Sequence, residues 1–171
     1  LAPSTSSHGV LMEVFGVGVL LTGNSGVGKS ETAMELIKRG HRLIADDSVL
    51  IREITNELYG SAPDMIRYFM ELRGIGIINV KSMDGSGSVL DEKKIDMEIE
   101  MERWQEGKEY DRVGDEGSTE EILGVKIPKI VIPVSPGRNL AIIIEVAARN
   151  FRLKRMGYDA AEELISRSVG R

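Results

Sequence analysis

The chain has 171 residues, 42% hydrophobic and 29% charged, and its 22 lysines and arginines against 27 aspartates and glutamates give a net charge of −5. That length suits one domain with a sizeable core, and the acidic balance leaves no surplus of cations for a nucleic-acid backbone, which argues against DNA or RNA as a ligand. With no cysteine there is no disulfide framework or thiolate chemistry, and no run has the length of a membrane span or the layout of a signal peptide, so a cytoplasmic protein without a membrane partner is expected.

The chain opens on Leu1 rather than Met, and Ala2-Pro3-Ser4-Thr5-Ser6-Ser7 reads like the tail of a linker, so residues 1–171 are expected to be one domain of a longer protein. His8, one of two histidines, stands next to Gly9 and carries no chemical signal on its own. Val17-Gly18-Val19-Leu20-Leu21-Thr22 is an apolar run suited to a buried strand. It leads into Gly23-Asn24-Ser25-Gly26-Val27-Gly28-Lys29-Ser30, and Glu31 to Arg39 follows as a plausible helix. Strand, glycine loop and helix in that order make a phosphate-binding loop. Glycines let backbone amides turn toward phosphate oxygens, because no side chain blocks the approach. The helix start adds unpaired N–H groups and the positive end of its dipole. Lys29 is placed for the β- and γ-phosphates of a nucleotide and the Ser30 hydroxyl for Mg²⁺.

His41 to Ala45 reads as a strand ending at Asp46-Asp47, with Val49-Leu50-Ile51 as a second. The carboxyl end of a strand is where open α/β sheets keep functional groups. Adjacent residues of an extended chain point to opposite sides, so one carboxylate can face a metal or its waters and the other an acceptor hydroxyl. The plainer alternative is an Asx-type turn closing the strand. Ser61-Ala62-Pro63-Asp64 has the makings of a helix start, with Met65, Ile66, Phe69, Met70 and Leu72 at near-helical spacing and Gly74 as its end. Glu71 and Arg73 then fall at a helix terminus, where a surface charge pair is the ordinary outcome. Ile75 to Val80 is apolar enough for a strand, and Met83 to Ser88 reads as a loop. From Lys93 to Met101 the pattern alternates: Ile95, Met97, Ile99 and Met101 share one face, and Lys94, Asp96, Glu98 and Glu100 share the other, which is expected to be solvated.

Tyr110-Asp111-Arg112-Val113-Gly114 offers an arginine, and Gly114 to Gly124 reads as a polar loop with room for a helical turn. Ile127 to Val134 carries two prolines, which favours a sheet edge or an extended segment. Ser135-Pro136-Gly137-Arg138-Asn139 is a tight loop presenting Arg138, whose planar fork suits phosphate oxygens, although a solvent-facing loop arginine fits equally well. Asn139 can cap a helix from Leu140 to Met156 that Gly157 closes, and Asp159 with Glu162 opens a last short helix.

Together these segments resemble the bacterial HPr kinase/phosphorylase family, in particular its C-terminal catalytic domain. The resemblance rests on Ser6-Ser7-His8-Gly9, the Gly23 to Ser30 loop, Ala45-Asp46-Asp47, the run Glu71-Leu72-Arg73-Gly74-Ile75-Gly76-Ile77-Ile78-Asn79-Val80, Tyr110 to Gly114, Pro133-Val134-Ser135-Pro136-Gly137-Arg138-Asn139, Glu145 to Ala148 and Met156-Gly157. The Glu71 to Val80 run is the most specific of these. The resemblance implies an α/β, P-loop-containing fold related to the carboxykinases, with a central mixed β-sheet flanked by helices. It implies a protein serine kinase and phosphorylase of bacterial carbon metabolism: ATP or pyrophosphate phosphorylates a serine of the carrier protein HPr, and inorganic phosphate attacks phosphoseryl-HPr to release pyrophosphate. Asp47 matches the residue that exchanges the serine proton, with Asp46 beside it. Lys29 matches the phosphate-contacting lysine, Ser30 and Glu71 match the Mg²⁺ ligands, and His8 and Arg112 match further catalytic positions. Arg73 belongs to the signature run. Pro133, Val134, Ser135, Pro136, Gly137 and Arg138 match a segment linked mainly to dephosphorylation. A homohexamer and an N-terminal domain outside this chain are also implied.

One stretch departs from the family pattern. Lys81-Ser82-Met83-Asp84-Gly85 stands where a Leu-Phe-Gly-like sequence is expected, which bears on the loop and on HPr contact more than on the chemistry. A small-molecule or carboxykinase-like P-loop kinase and a non-catalytic nucleotide sensor are the alternatives that the glycine loop alone would allow.

Overall fold

A computed structural model of the chain describes residues 2–110 and 118–170. In chain order the strands are β1 (Ser4–His8), β2 (Val10–Val14), β3 (Val17–Thr22), β4 (Arg42–Ala45), β5 (Ser48–Ile54), β6 (Glu57–Ser61), β7 (Phe69–Leu72), β8 (Gly76–Asn79), β9 (Glu92–Lys94), β10 (Met97–Arg103), β11 (Ser118–Ile122) and β12 (Val125–Val134). The helices are α1 (Lys29–Lys38), α2 (Val80–Asp84), α3 (Leu140–Arg155) and α4 (Ala160–Val169).

Six strands form a central mixed sheet in the order β11-β12-β10-β3-β2-β4. Within it β10 runs parallel to β3 and β12, while the remaining pairs are antiparallel. Leu21, Ile99, Met101 and Ile132 share one apolar cluster with Leu36 of α1 and Ile144 and Ala148 of α3. Leu11, Leu20 and Ile44 join Val49, Ile51 and Leu58 in a second cluster, shared with the four-stranded sheet β1-β5-β6-β9. The result is two sheets and a helical layer, with the central sheet covered on both sides. Among the described residues no helix is long and apolar enough to cross a membrane.

That double cover changes the reading of the charged run at 94–100. Asp96 and Glu98 are buried, not solvated. Asp96 replaces a ladder partner at the start of β3: its Oδ2 accepts from Gly18 N at 2.8 Å, and its own N–H donates to Gly18 O at 2.8 Å. Arg155 of α3 adds a charge contact to Oδ1 at 3.2 Å. Alternation marks two faces but does not say what lies over them.

Three further expectations give way. The segment after Pro63 forms a single 3₁₀ turn, Asp64–Ile66, and then enters the β7–β8 hairpin, with Gly74 at φ 74° in its turn. Met70 and Leu72 are buried while Phe69 and Glu71 are not, the period of two proper to a strand, so the apparent helical spacing was fortuitous. The stretch read as a loop at 83–88 contains the end of α2, capped by Asn79 Oδ1 accepting from Ser82 N at 3.0 Å, and a 3₁₀ turn, Ser86–Ser88. Residues 118–122, within the expected loop, are the edge strand β11.

β12 lies between β11 and β10 rather than at the edge. Pro128 faces Thr119 of β11 and has no registered partner in β10, which spares its missing N–H; Pro133 faces Glu102 of β10, and among the described residues Lys129 is the one registered with both neighbours. The capped helices α3 and α4 form as the sequence indicates, through Asn139 and Asp159. Glu145 of α3 joins the far end of α1, taking Arg39 Nε at 2.9 Å and meeting buried His41 Nε2 at 2.7 Å.

Replacing Asp96 by Ala leaves Gly18 N–H buried without its acceptor. We expect a loss of about 2–3 kcal/mol in urea unfolding, and a smaller loss for Asp96→Asn, whose amide oxygen can still accept.

Candidate functional site

The end of β3 delivers the chain into the glycine loop, where Gly23, Gly26 and Gly28 adopt φ of 137°, 88° and 104°. Those angles are easy only for glycine and produce the tight path from strand into helix. Gly28 precedes α1 and its carbonyl accepts from Thr32 N at 3.0 Å. Lys29 is buried and folds back over the loop, donating from Nζ to Gly23 O at 2.7 Å and to Asn24 O at 3.2 Å. Burial lowers its pKa below the ordinary lysine value, partly opposed by the charges of Asp47, Asp46 and Glu31. An incoming anion would exchange places with the two carbonyls.

Asp46, at the end of β4, is buried and joins three segments. Its Oδ1 accepts from Ser30 Oγ at 2.8 Å, and its Oδ2 from Glu71 N at 3.2 Å. Burial raises its pKa above the ordinary aspartate value, while the bonds from Ser30 and Glu71 favour the charge. Asp47 follows at φ 70°, a conformation that aspartate tolerates better than most residues. Its carbonyl accepts from Gly9 N at 3.1 Å. The Asp47 side chain is 74% exposed, and its Oδ1 lies 3.4 Å from His8 Nδ1. One carboxylate is thus internal and the other is turned outward, as adjacent positions at a strand end allow.

A pocket of about 240 Å³ is lined by His8, Gly26, Gly28, Lys29, Ser30, Asp46, Asp47, Glu71 and Arg73, among others. Glu71 and Arg73 come from the β7 arm and its turn, not from a helix end. Arg73 lies against the loop apex, so that a Cβ on Gly26 would stand 2.5 Å from its Nη2. Oxygen groups from Ser30, Asp46 and Glu71 converge here, the donor chemistry a hard cation takes. Among the described residues no three His, Cys, Asp or Glu side chains could hold a metal on their own. A hydroxyl and two carboxylates suit Mg²⁺, which keeps waters and substrate phosphates among its ligands.

Not every residue singled out in the sequence joins this pocket. Arg138 and Gly137 line a shallow hollow beside Glu31, Thr32 and Glu35, on the outer side of α1. Pro133 and Val134 end β12, and Ser135 to Arg138 form a turn closed by Arg138 N donating to Ser135 O at 3.3 Å. Arg112 falls outside the described residues.

Other residues beside the loop escaped the sequence reading. Thr22 Oγ1 donates to buried Glu98 Oε2 at 2.7 Å, and Lys129 Nζ stands 3.6 Å from the same atom and 3.1 Å from Glu100 Oε1. Burial raises the Glu98 pKa. These residues and Trp104 line a second, larger cleft of about 1130 Å³ that also reaches Gly23, Asn24 and Ser25. The available signal in the sequence is the chain's single tryptophan, just after the alternating run at 93–101.

Residues 1–168 match the family described as HPr Serine kinase C-terminal domain. The chain belongs to that family. It is 58% identical over 168 residues to the HPr kinase/phosphorylase of Geobacillus thermodenitrificans (strain NG80-2) and 57% identical over 168 residues to that of Bacillus subtilis (strain 168), covering in each case 98% of this chain and 54% of the relative. The chain therefore spans about half the length of the curated relatives it matches. Among solved structures it is similar to the Hpr(Ser) kinase/phosphatase from Coxiella burnetii, with a TM-score of 0.83 and 35% identity over 94% of this chain and 98% of that one.

Because the Asp46 carboxyl titrates above its unfolded value, its contribution to stability is fully present below the unfolded value and is lost as pH rises through the folded one. Urea midpoints over an acid-to-neutral pH series should show wild type losing stability relative to Asp46→Asn as pH rises, then a constant difference. A difference that does not vary with pH would contradict the raised value.

Proposed function

We propose that the chain carries the catalytic centre of a bifunctional HPr kinase/phosphorylase: it transfers phosphate from ATP or pyrophosphate to a serine of HPr, and in reverse uses inorganic phosphate to release pyrophosphate from phosphoseryl-HPr. The observation that carries this reading is the exposed Asp47 carboxylate at a pocket floored by the glycine loop and Lys29, in a chain of this family. Relatives named HPr kinase/phosphorylase supply the substrate.

In the forward direction the serine Oγ attacks the terminal phosphorus while Asp47 takes its proton, and the bond to the leaving diphosphate or phosphate breaks. In the reverse direction an oxygen of inorganic phosphate attacks the phosphoserine phosphorus, and Asp47 returns the proton to the serine oxygen. One carboxylate serves both directions by microscopic reversibility. His8, 3.4 Å from Asp47, orients that carboxylate. The reverse step brings two anionic groups together, so its barrier depends on positive charge held nearby. Lys29 and the loop amides hold one phosphate, and Arg73 supplies a planar cation at the loop apex. Family resemblance assigns Arg112 to the same task, whereas Arg138, matched to the family's dephosphorylation segment, lines a separate hollow beside α1. When bound, Mg²⁺ would neutralise phosphate charge, held by Ser30 and Glu71 with Asp46 behind them. Cytoplasmic location and homohexameric assembly belong to the same reading.

The test is transfer of label from ATP with Mg²⁺ to HPr, followed by addition of phosphate to the labelled product. Wild type should label HPr and then release labelled pyrophosphate. Asp47→Asn should bind nucleotide normally and lose about 10²–10⁴-fold in kcat in both directions. Unlabelled HPr together with a phosphorylated small molecule from a metabolite extract would overturn the proposal.

A further inference from the structure

The larger cleft begins where the glycine loop begins. Side chains at 98, 100 and 102 share one face of β10, because the period of a strand is two. Glu100 is registered with Thr22, the residue before Gly23, and the strand pairing continues past β10 through Trp104 N donating to Val134 O at 3.1 Å. Trp104 therefore stands four residues beyond the level of the loop start, about 13 Å along an extended chain. It lies at the carboxyl end of a parallel strand adjoining the loop strand, the region where α/β sheets bind ligands. One side of its indole is covered by Tyr110, with ring centroids 5.3 Å apart and planes at 29°, yet 53% of Trp104 remains exposed. Between this ring and the loop stand the carboxylates of Glu100 and Glu102 on the same wall.

This arrangement sorts the ligand chemistry. The wall carries Glu98, Glu100, Glu102 and Glu120 against Lys129 and Arg103, so it repels a second polyphosphate. A neutral ribose with two hydroxyl donors suits carboxylate acceptors, and a flat heterocycle suits a tryptophan backed by a second ring. We propose that the nucleoside half of a nucleotide donor lies in this cleft, its base stacked on the open side of Trp104 and its ribose hydroxyls donating to Glu100, while its phosphates reach the glycine loop. This rests on the kinase reading above and adds a consequence. The nucleotide and pyrophosphate donors share the loop, but only the nucleotide uses Trp104.

The two donors supply the test. Trp104→Ala should raise KM for ATP about tenfold in HPr phosphorylation, a modest value for loss of one base–aromatic stack, and leave KM for pyrophosphate unchanged. Trp104→Phe should recover most of the ATP affinity. An equal rise for both donors, or no change for ATP, would overturn the assignment. If wild type phosphorylated HPr with neither donor, the kinase reading would fail by itself. Calorimetric titration of ADP into wild type and Trp104→Ala would still decide the subsite: about tenfold weaker binding in the variant supports it, and equal affinity rejects it.

Discussion

Asp46 is the group on which the arrangement of the site depends. Its two oxygens take one hydrogen bond from Ser30 at the head of α1 and one from Glu71 N in the β7 arm, while the residue itself closes β4. Three segments distant in sequence are thereby fixed to one carboxylate. The raised pKa records the cost of holding that charge inside the protein, and the two donors record how the cost is offset. A neutral group of similar shape could keep some of the geometry, but it would give up the charge beside the Ser30 and Glu71 oxygens that a divalent cation would meet.

Opposed charges are arranged with similar economy around the glycine loop. Lys29 is satisfied internally by two loop carbonyls, so its buried ammonium is paired within the chain. Arg73 packs its guanidinium against the loop apex at Gly26, whose φ of 88° favours glycine there. The outward Asp47, by contrast, spends backbone strain to present its carboxylate, since φ 70° is uncommon for a residue with a side chain. Strain at an exposed acid beside a buried one separates the two aspartates more sharply than their adjacency in the chain suggests.

The glycine loop, its strand and its helix were legible because local chemistry dictates them: three glycines at positive φ, then Lys-Ser at a helix start. The caps at Asn139 and Asp159 were legible for the same reason. What misled was any pattern whose meaning depends on what lies above it. Asp96 and Glu98 alternate with apolar residues as solvated side chains do, but each is buried against long-range partners, Gly18 and Arg155 for the first and Thr22 and Lys129 for the second. Residues 65–72 offered apolar positions compatible with either period, and pairing with 76–79, not propensity, decided for strand. Arg138 and Arg73 looked alike in the sequence; the hairpin brings Arg73 to the loop, whereas Arg138 follows β12 to the outer side of α1.

Pro128 of β12 has a consequence for folding fidelity. Among the described residues Lys129 is the one registered with strands on both sides, and Pro128 beside it meets β11 but not β10. A slip by one residue that carried Pro128 into the doubly paired position would set an imino nitrogen where the ladder calls for a donor, and it would also turn the inward side chains outward. Pro128 thus acts as a stop that defines the register of β12 between its two neighbours.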